Sequence, residues 1–179
     1  MIPASSSRPS IPSITPMLNV VAEQPLVPGT AVTLPAVSIG RKRATIERGA
    51  YWSRLMKEVL LGGLIQDSQG MSKVLVPLSQ IQSPDPILTR ERLGRAQFTP
   101  SSFSDFCALA HLMFFNEGEE MRTVACLGTG FPWKGKEMFA QTSGQSNGER
   151  HLRLFQWGTT DATRYGAQIS VLCDRISKH

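Results

Sequence analysis

The chain has 179 residues, of which 41% are hydrophobic and 18% are charged, and its formal net charge is +5. The length favours one domain, and the hydrophobic share suffices for a core, which excludes wholesale disorder. The sequence shows neither a run of about 18 apolar residues nor a signal peptide, so we expect no transmembrane helix and no secretion. The positive charge favours an anionic partner, either nucleic acid or a lipid surface.

Residues 1–40 are predicted to form a flexible proline-rich arm before the folded domain. Seven of the twelve prolines lie in the first 35 residues, and proline removes backbone donors and favours extended conformations. Apolar segments interrupt the arm at Pro25-Leu26-Val27-Pro28 and at Ala31-Val32-Thr33-Leu34. Because extended apolar segments can dock on a neighbour's sheet edge or groove, Pro25, Leu26, Val27 and Pro28 are a candidate self-association segment. A plain disordered tail is the alternative.

The densest basic run of the chain follows the arm, at Arg41-Lys42-Arg43 and Arg48, close to Tyr51 and Trp52. Basic side chains beside aromatic ones suit phosphate contact with base stacking, or a position at a membrane interface. We therefore predict that Arg41, Lys42, Arg43 and Arg48 bind a polyanion, either RNA or anionic lipid. A solvated hinge between arm and domain is the alternative.

Between residues 51 and 100 the sequence predicts a helix, a strand and a loop. Apolar residues recur at helical spacing over Tyr51–Leu60, and Gly62-Gly63 ends this helix. Lys73–Leu78 is a predicted strand, placed at the sheet edge because it contains a proline. Gln82–Pro100 is a predicted loop because prolines interrupt it.

Ser102 precedes the most clearly predicted helix. Apolar residues recur at helical period from Phe103 to Phe114, Ser102 and Asp105 have capping-box spacing, and Gly118 suits the helix end. His111 lies beside this apolar stripe and is interpreted as a partly buried structural histidine.

Three further strands are predicted over Met121–Leu127, His151–Trp157 and Tyr165–Ile176, with loops over Gly128–Lys136 and Gln141–Glu149. These elements predict one α+β domain over residues 41–179, in which about two helices pack on a mostly antiparallel sheet.

The predicted loop at Phe131–Lys136 is a candidate membrane contact. Exposed aromatic residues flanked by lysines can enter the headgroup zone while the ammonium groups meet anionic lipid. The residues assigned to this contact are Phe131, Trp133, Lys134 and Lys136. Alternatively, Phe131 and Trp133 fold back onto the core.

Two motifs resemble catalytic or nucleotide-binding loops, but one lacks a required residue and the other lacks the required surroundings. Gly130–Lys136 matches the start of a phosphate-binding loop, but Glu137 replaces the Ser or Thr that holds magnesium. Gly144–Gly148 matches a nucleophile elbow, but its surroundings read as a solvated loop without a positioned base. We therefore expect no enzymatic activity, no cofactor and no metal site. The three cysteines have no zinc-ligand spacing and are predicted to be small buried hydrophobes: Cys107, Cys126 and Cys173.

Residues Phe103–His111 (Phe-Ser-Asp-Phe-Cys-Ala-Leu-Ala-His) lead into Met121–Gly130 (Met-Arg-Thr-Val-Ala-Cys-Leu-Gly-Thr-Gly). An aromatic-Ser-Asp helix that runs into a strand ending in Leu-Gly is similar to the central region of rhabdovirus matrix proteins, particularly the short ones of plant-infecting members. A proline-containing arm before one α+β domain also resembles that family. The PPxY motif of many animal-virus members is absent, and only PxxP segments occur, at Pro9–Pro12 and Pro25–Pro28.

The resemblance implies a viral matrix-type structural protein that self-associates, condenses the ribonucleoprotein and links it to the inner membrane surface. The implied partners are further copies of the chain, the nucleocapsid or its RNA, an anionic membrane and the cytoplasmic tail of an envelope glycoprotein. The implied location is the virion beneath the envelope, and the host cytoplasm or nucleus, peripheral on membranes. Two alternatives remain open: a small coat protein of a non-enveloped virus with a jelly-roll fold, and an RNA-binding accessory protein.

Overall fold

A computed structural model of the protein describes residues 29–47, 63–78, 85–115, 123–144, 150–157 and 169–177. Its helices are α1 (Ile39–Glu47), α2 (Pro86–Arg95) and α3 (Phe103–Phe115). Its strands are β1 (Thr30–Leu34), β2 (Met71–Pro77), β3 (Phe98–Pro100), β4 (Thr123–Trp133), β5 (Lys136–Gly144), β6 (Arg150–Gln156) and β7 (Ile169–Arg175). The helix predicted over residues 51–60 lies outside the described residues.

The described strands form one sheet in the order β1-β2-β7-β4-β5-β6. The short strand β3 is not part of this order and pairs with β7. Each pairing is antiparallel except that of β4 with β7. β7 is the central strand, and its residues 169, 171, 172 and 173 are all buried, as expected for a strand covered on both faces. The predicted mixed fold with a mostly antiparallel sheet is therefore confirmed.

Helices cover both faces of the sheet. On one face, Ile46 of α1 and Phe106 of α3 join an apolar cluster with Leu172. On the other face, Leu93 of α2 packs in a second cluster with Val171. The described residues therefore contain three helices, one more than the predicted number of about two.

The N-terminus of α3 agrees with its prediction in part. Ser102 Oγ accepts a hydrogen bond from the Asp105 amide at 3.2 Å, which is the expected cap. The Asp105 carboxylate does not complete a capping box, because it contacts Lys73 instead. The strands predicted over Lys73–Leu78 and His151–Trp157 are also found, within two residues at their ends. The strand predicted over Tyr165–Ile176 is found as β7 from Ile169 to Arg175, and residues 165–168 lie outside the described residues.

Helix α2 corrects the prediction of a loop over Gln82–Pro100. Asp85 caps the helix through a 2.8 Å hydrogen bond from the Ile87 amide, and Pro86 occupies the first turn. Proline is favoured there, since the first helical amide has no intrahelical partner. Pro86, one of the prolines that suggested a loop, therefore begins a helix.

The β4–β5 hairpin corrects the prediction of a loop over Gly128–Lys136. Strand β4 continues to Trp133, and the two-residue turn Lys134-Gly135 has φ values of 48° and 74°. Positive φ at both central positions is typical of the turns that connect two-residue hairpins. The predicted loop over Gln141–Glu149 is also wrong at its start, since residues 141–144 belong to β5, while residues 145–149 lie outside the described part.

Strand β1 changes the predicted boundary between arm and domain. Thr30–Leu34 pairs antiparallel with β2, from Thr30 opposite Leu75 to Leu34 opposite Met71. Residues 29–40 therefore belong to the fold, whereas residues 1–28 lie outside the described residues. The predicted edge position of β2 is wrong for the same reason, because β1 occupies that edge and ends opposite Leu75, before Pro77.

Candidate polyanion-binding and assembly surfaces

The basic run at the start of the domain lies on α1, where its members face different ways. Arg41 is exposed, and Arg43 is exposed with its Nε donating to Glu47 at 2.9 Å. Arg48 lies outside the described residues. Arg41 is thus the member of the run whose surface position fits the predicted polyanion contact most directly.

Lys42 is fully buried, which corrects its assignment as a polyanion-binding residue. Its ammonium group donates to the Gln66 carbonyl and to Ser104 Oγ, both at 2.8 Å. Burial lowers the pKa of Lys42 because a desolvated ammonium is disfavoured. Lys42, Thr45 and Ile46 share the inward face of α1, where Thr45 also contacts His111 Nδ1 at 3.1 Å.

The Lys42–Ser104 contact resembles a serine–lysine nucleophile pair, but its hydrogen bonds have the opposite sense. Lys42 Nζ and the Gln66 amide both donate to Ser104 Oγ, at 2.8 and 2.9 Å. Ser104 in turn donates to the Gln66 carbonyl at 3.2 Å. A general base must accept the serine proton, whereas here this cluster ties α1 and α3 to residue 66.

A second charged cluster joins β2, α3 and β7. Lys73 Nζ contacts Asp105 Oδ2 at 2.7 Å and Asp174 Oδ1 at 2.6 Å, and Ser101 Oγ donates to Asp174 at 2.9 Å. Lys73 itself is buried, with 7% of its surface exposed. Because two carboxylates hold this ammonium group, it is not available to an external anion.

The predicted membrane-contact residues separate in the structure. Phe131 is buried, with its ring edge-on to that of Phe103 at a centroid distance of 4.9 Å. This corrects its assignment as a membrane contact and fits the alternative in which it folds onto the core. Lys134 and Lys136 are exposed at the hairpin tip, and the Trp133 side chain lies outside the description.

Sequence reasoning missed the outward surface of α2, because it treated this segment as a loop. Ile87 and Leu88 are 61% and 44% exposed, and Arg92 and Arg95 lie in the last turn of the helix. The signal was present in the sequence: Leu88, Arg92 and Arg95 have the i, i+4, i+7 spacing that places side chains on one helix face.

The three cysteines are buried free thiols, as predicted. Burial raises the pKa of Cys126 and of Cys173 to about 12. A thiol held protonated in this way is a poor nucleophile and metal ligand.

Comparison of the chain with protein-family models, with curated proteins and with solved structures found no match in any of the three. Within the described ranges, no helix combines the length and apolar character needed to cross a bilayer.

Proposed function

We propose that the chain is a structural assembly protein of the matrix type. It self-associates and connects a viral ribonucleoprotein to the inner surface of a membrane. The observation that carries this proposal is an exposed, uncharged sheet edge at β1. The nucleocapsid, its RNA and the tail of an envelope glycoprotein are proposed partners on the strength of the family resemblance.

The outer edge of β1 has the properties of a strand-pairing surface. One side of β1 pairs with β2, and no described strand pairs with the other side. Thr30, Ala31 and Thr33 are exposed, so the described part of the chain leaves this strand open to solvent. Natural edge strands are usually protected by charged residues, prolines or bulges, and Thr30–Leu34 contains none of these.

The opposite edge of the sheet is β6, whose outer side also lacks a partner among the described strands. If β1 of one copy pairs with β6 of the next, the contact joins two different surfaces. Such a contact extends into an open array unless its rotation closes a ring. Open arrays suit a protein that lines a membrane and condenses a long ribonucleoprotein.

Exposed cations supply the attraction to anionic partners. Among the described residues they include Arg41, Arg95, Lys134, Lys136 and Arg153. The jelly-roll alternative requires two packed sheets with about eight strands, whereas the described strands form one sheet with helices on both faces. This architecture does not favour the coat-protein interpretation.

The test compares Ala31→Lys with Ala44→Lys in the full chain. Both alanines are exposed, but Ala31 lies on the β1 edge and Ala44 lies on α1. A lysine on an edge strand opposes strand pairing between copies, so we expect Ala31→Lys to raise the dissociation constant of self-association at least about tenfold. Sedimentation velocity over a concentration series measures this constant.

Ala44→Lys makes the same change in net charge and should assemble like the parent chain. A parent chain that stays monomeric at all concentrations would contradict the proposed function. Equal assembly of both variants would remove β1 from the contact.

A further inference from the structure

Most of the large hydrophobic residues that the described part of the chain exposes lie at or beside α2. Ile87 and Leu88 are adjacent in sequence and 61% and 44% exposed. Ile176, which is 43% exposed, lies next to the other end of this helix, since its amide donates to the Gln97 carbonyl at 2.9 Å. Three of the four large hydrophobic residues that the described part exposes therefore lie at or beside α2.

Arginines accompany these apolar side chains. Arg92 and Arg95 are exposed in the last turn of α2, on the same side as Leu88. Arg175 pairs across the strands with Phe98, three residues beyond Arg95, and its guanidinium lies 5.7 Å from the Phe98 ring centre. The arginine-rich end of α2 thus extends onto the end of β7.

We propose that the outer face of α2 is the surface through which this protein lies on an anionic membrane. This inference rests on the proposed function and assigns its membrane contact to particular residues. Ile87 and Leu88 enter the boundary between headgroups and acyl chains, and Arg92, Arg95 and Arg175 contact the phosphates and carboxylates of the headgroups. Amphipathic helices bind membrane surfaces by this combination of apolar area and electrostatic attraction.

The side chains on this face favour lipid over RNA. Proteins that bind single-stranded nucleic acid combine basic residues with aromatic side chains on which the bases stack. The outer face of α2 offers aliphatic side chains between its charges and no aromatic residue. Aliphatic side chains contribute to membrane affinity by leaving water, but they offer no aromatic ring on which a base can stack.

Helix α1 is the nearest competitor for the role. It exposes a single large aliphatic residue, Ile39, at 43%. Because Ile39 and Ile87 are the same residue type on the surfaces of different helices, they form a matched pair for mutation.

The first experiment is flotation of the full chain with phosphatidylcholine vesicles, with and without phosphatidylserine. We expect the parent chain to float with the anionic vesicles. Ile87→Gln should weaken binding about tenfold, whereas Ile39→Gln should leave it unchanged. Arg95→Gln should weaken binding about fivefold, whereas Arg43→Gln on α1 makes the same change in net charge and should have a smaller effect.

A gain of binding provides a test that misfolding cannot imitate. Glu91 is an exposed acid on the outer face of α2, and Glu47 is an exposed acid on α1. Glu91→Gln removes a repulsive charge from the proposed contact, so we expect binding about fivefold tighter. Glu47→Gln makes the same change in net charge elsewhere and should have a smaller effect.

The outcomes separate this inference from the proposed function. If the parent chain floats and the α2 variants float equally well, the α2 assignment is overturned while membrane binding stands. If Ile39→Gln alone impairs flotation, α1 is the contact and the inference is also overturned. If the parent chain does not float and the α2 variants impair binding to single-stranded RNA instead, both the membrane contact and the membrane-linking function are overturned.

Discussion

Lys73 shows how one buried cation can join three elements of this fold. Its ammonium group lies between Asp105 at the start of α3 and Asp174 on β7. Burial by itself lowers the pKa of Lys73, but the hydrogen bonds and attraction from Asp105 and Asp174 outweigh it, so the pKa is raised above its ordinary value of 10.5. The charged lysine is therefore bound more favourably in the folded chain than in the unfolded chain.

Lys73→Met leaves two carboxylates facing each other without their shared cation. The Asp174 side chain is 38% exposed, so water reduces the repulsion between the two carboxylates. We therefore expect the free energy of unfolding at neutral pH to fall by about 2 kcal/mol. The advantage of the parent chain is fully present below pH 10.5 and is lost as the pH rises through the raised pKa of Lys73. Urea denaturation over a pH series measures both effects.

Lys136→Met is the control for this prediction, because Lys136 is exposed at the hairpin tip. It should change stability by less than about 0.5 kcal/mol. An equal loss in both variants, or a difference that does not vary up to high pH, would count against the charged cluster.

The exposure of the individual candidate residues was only partly predictable from the sequence. Arg41 is exposed, as expected for a member of a basic run, and Lys134 and Lys136 are exposed, as expected for residues at a turn. In the sequence, Lys42 is one of three consecutive basic residues, and nothing in the run itself separates it from Arg41 and Arg43. Only its spacing of four residues from Ile46 indicated that its side chain points inward. The burial of Phe131 depends on Phe103, which is 28 residues away in the chain, and no local pattern contains that contact.

At the scale of elements, β4 carries an irregularity that positions it against α3. Cys126 lies opposite Ala140 and Gly130 lies opposite Phe139, so residues 127–129 have no counterpart on β5. At Gly128 a Cβ atom would come within 2.0 Å of the Ser101 carbonyl oxygen. The backbone just before α3 therefore packs directly on this part of β4.

Gly128→Ala should destabilise the fold by about 2–3 kcal/mol, because a backbone carbonyl must move to admit the methyl group. Gly130→Ala is the matched control. At Gly130 the added Cβ would meet the Glu137 side chain, which is exposed and can rotate away. We expect Gly130→Ala to cost less than about 1 kcal/mol, and thermal unfolding of both variants measures the contrast.

Elements with strong local signals were predicted well, whereas elements defined by context were not. Helix α3 has a capping serine and an apolar period that runs through its whole length. Helix α2 begins with a proline, which has opposite meanings in the first turn and in a helix interior. The end of β4 was missed because glycines and a proline in Gly128–Pro132 suggested a loop, although Gly130 and Pro132 pair with β5 and the strand continues to Trp133.

At the scale of the whole molecule, the class of fold was predictable and the strand order was not. Alternation of apolar residues identifies strands such as β7, but their neighbours are set by long-range contacts that no segment specifies. The boundary at residue 40 was wrong because composition described residues 29–35 as part of the arm. Their pairing with β2, about 40 residues later, brings them into the sheet.

Assembly and membrane binding should reinforce each other, since an array presents many α2 surfaces to one vesicle. Ala31→Lys leaves α2 intact but reduces the number of linked copies, so its apparent vesicle affinity should be at least about tenfold weaker than that of the parent chain. Flotation at low protein concentration measures this effect. Ala44→Lys should retain the parent affinity, and equal flotation of both variants would show that the surfaces act independently.

β7, at the centre of the sheet, is also the last of the described strands in sequence order. β7 pairs with β2, β3 and β4, so it stands between the paired strands β1 and β2 and the β4–β5–β6 meander. During synthesis, the backbone groups of β2 and β4 that pair with β7 lack these partners until residues 169–175 have left the ribosome. A translation stop shortly before that point would release a pair of half-sheets rather than a slightly shortened protein.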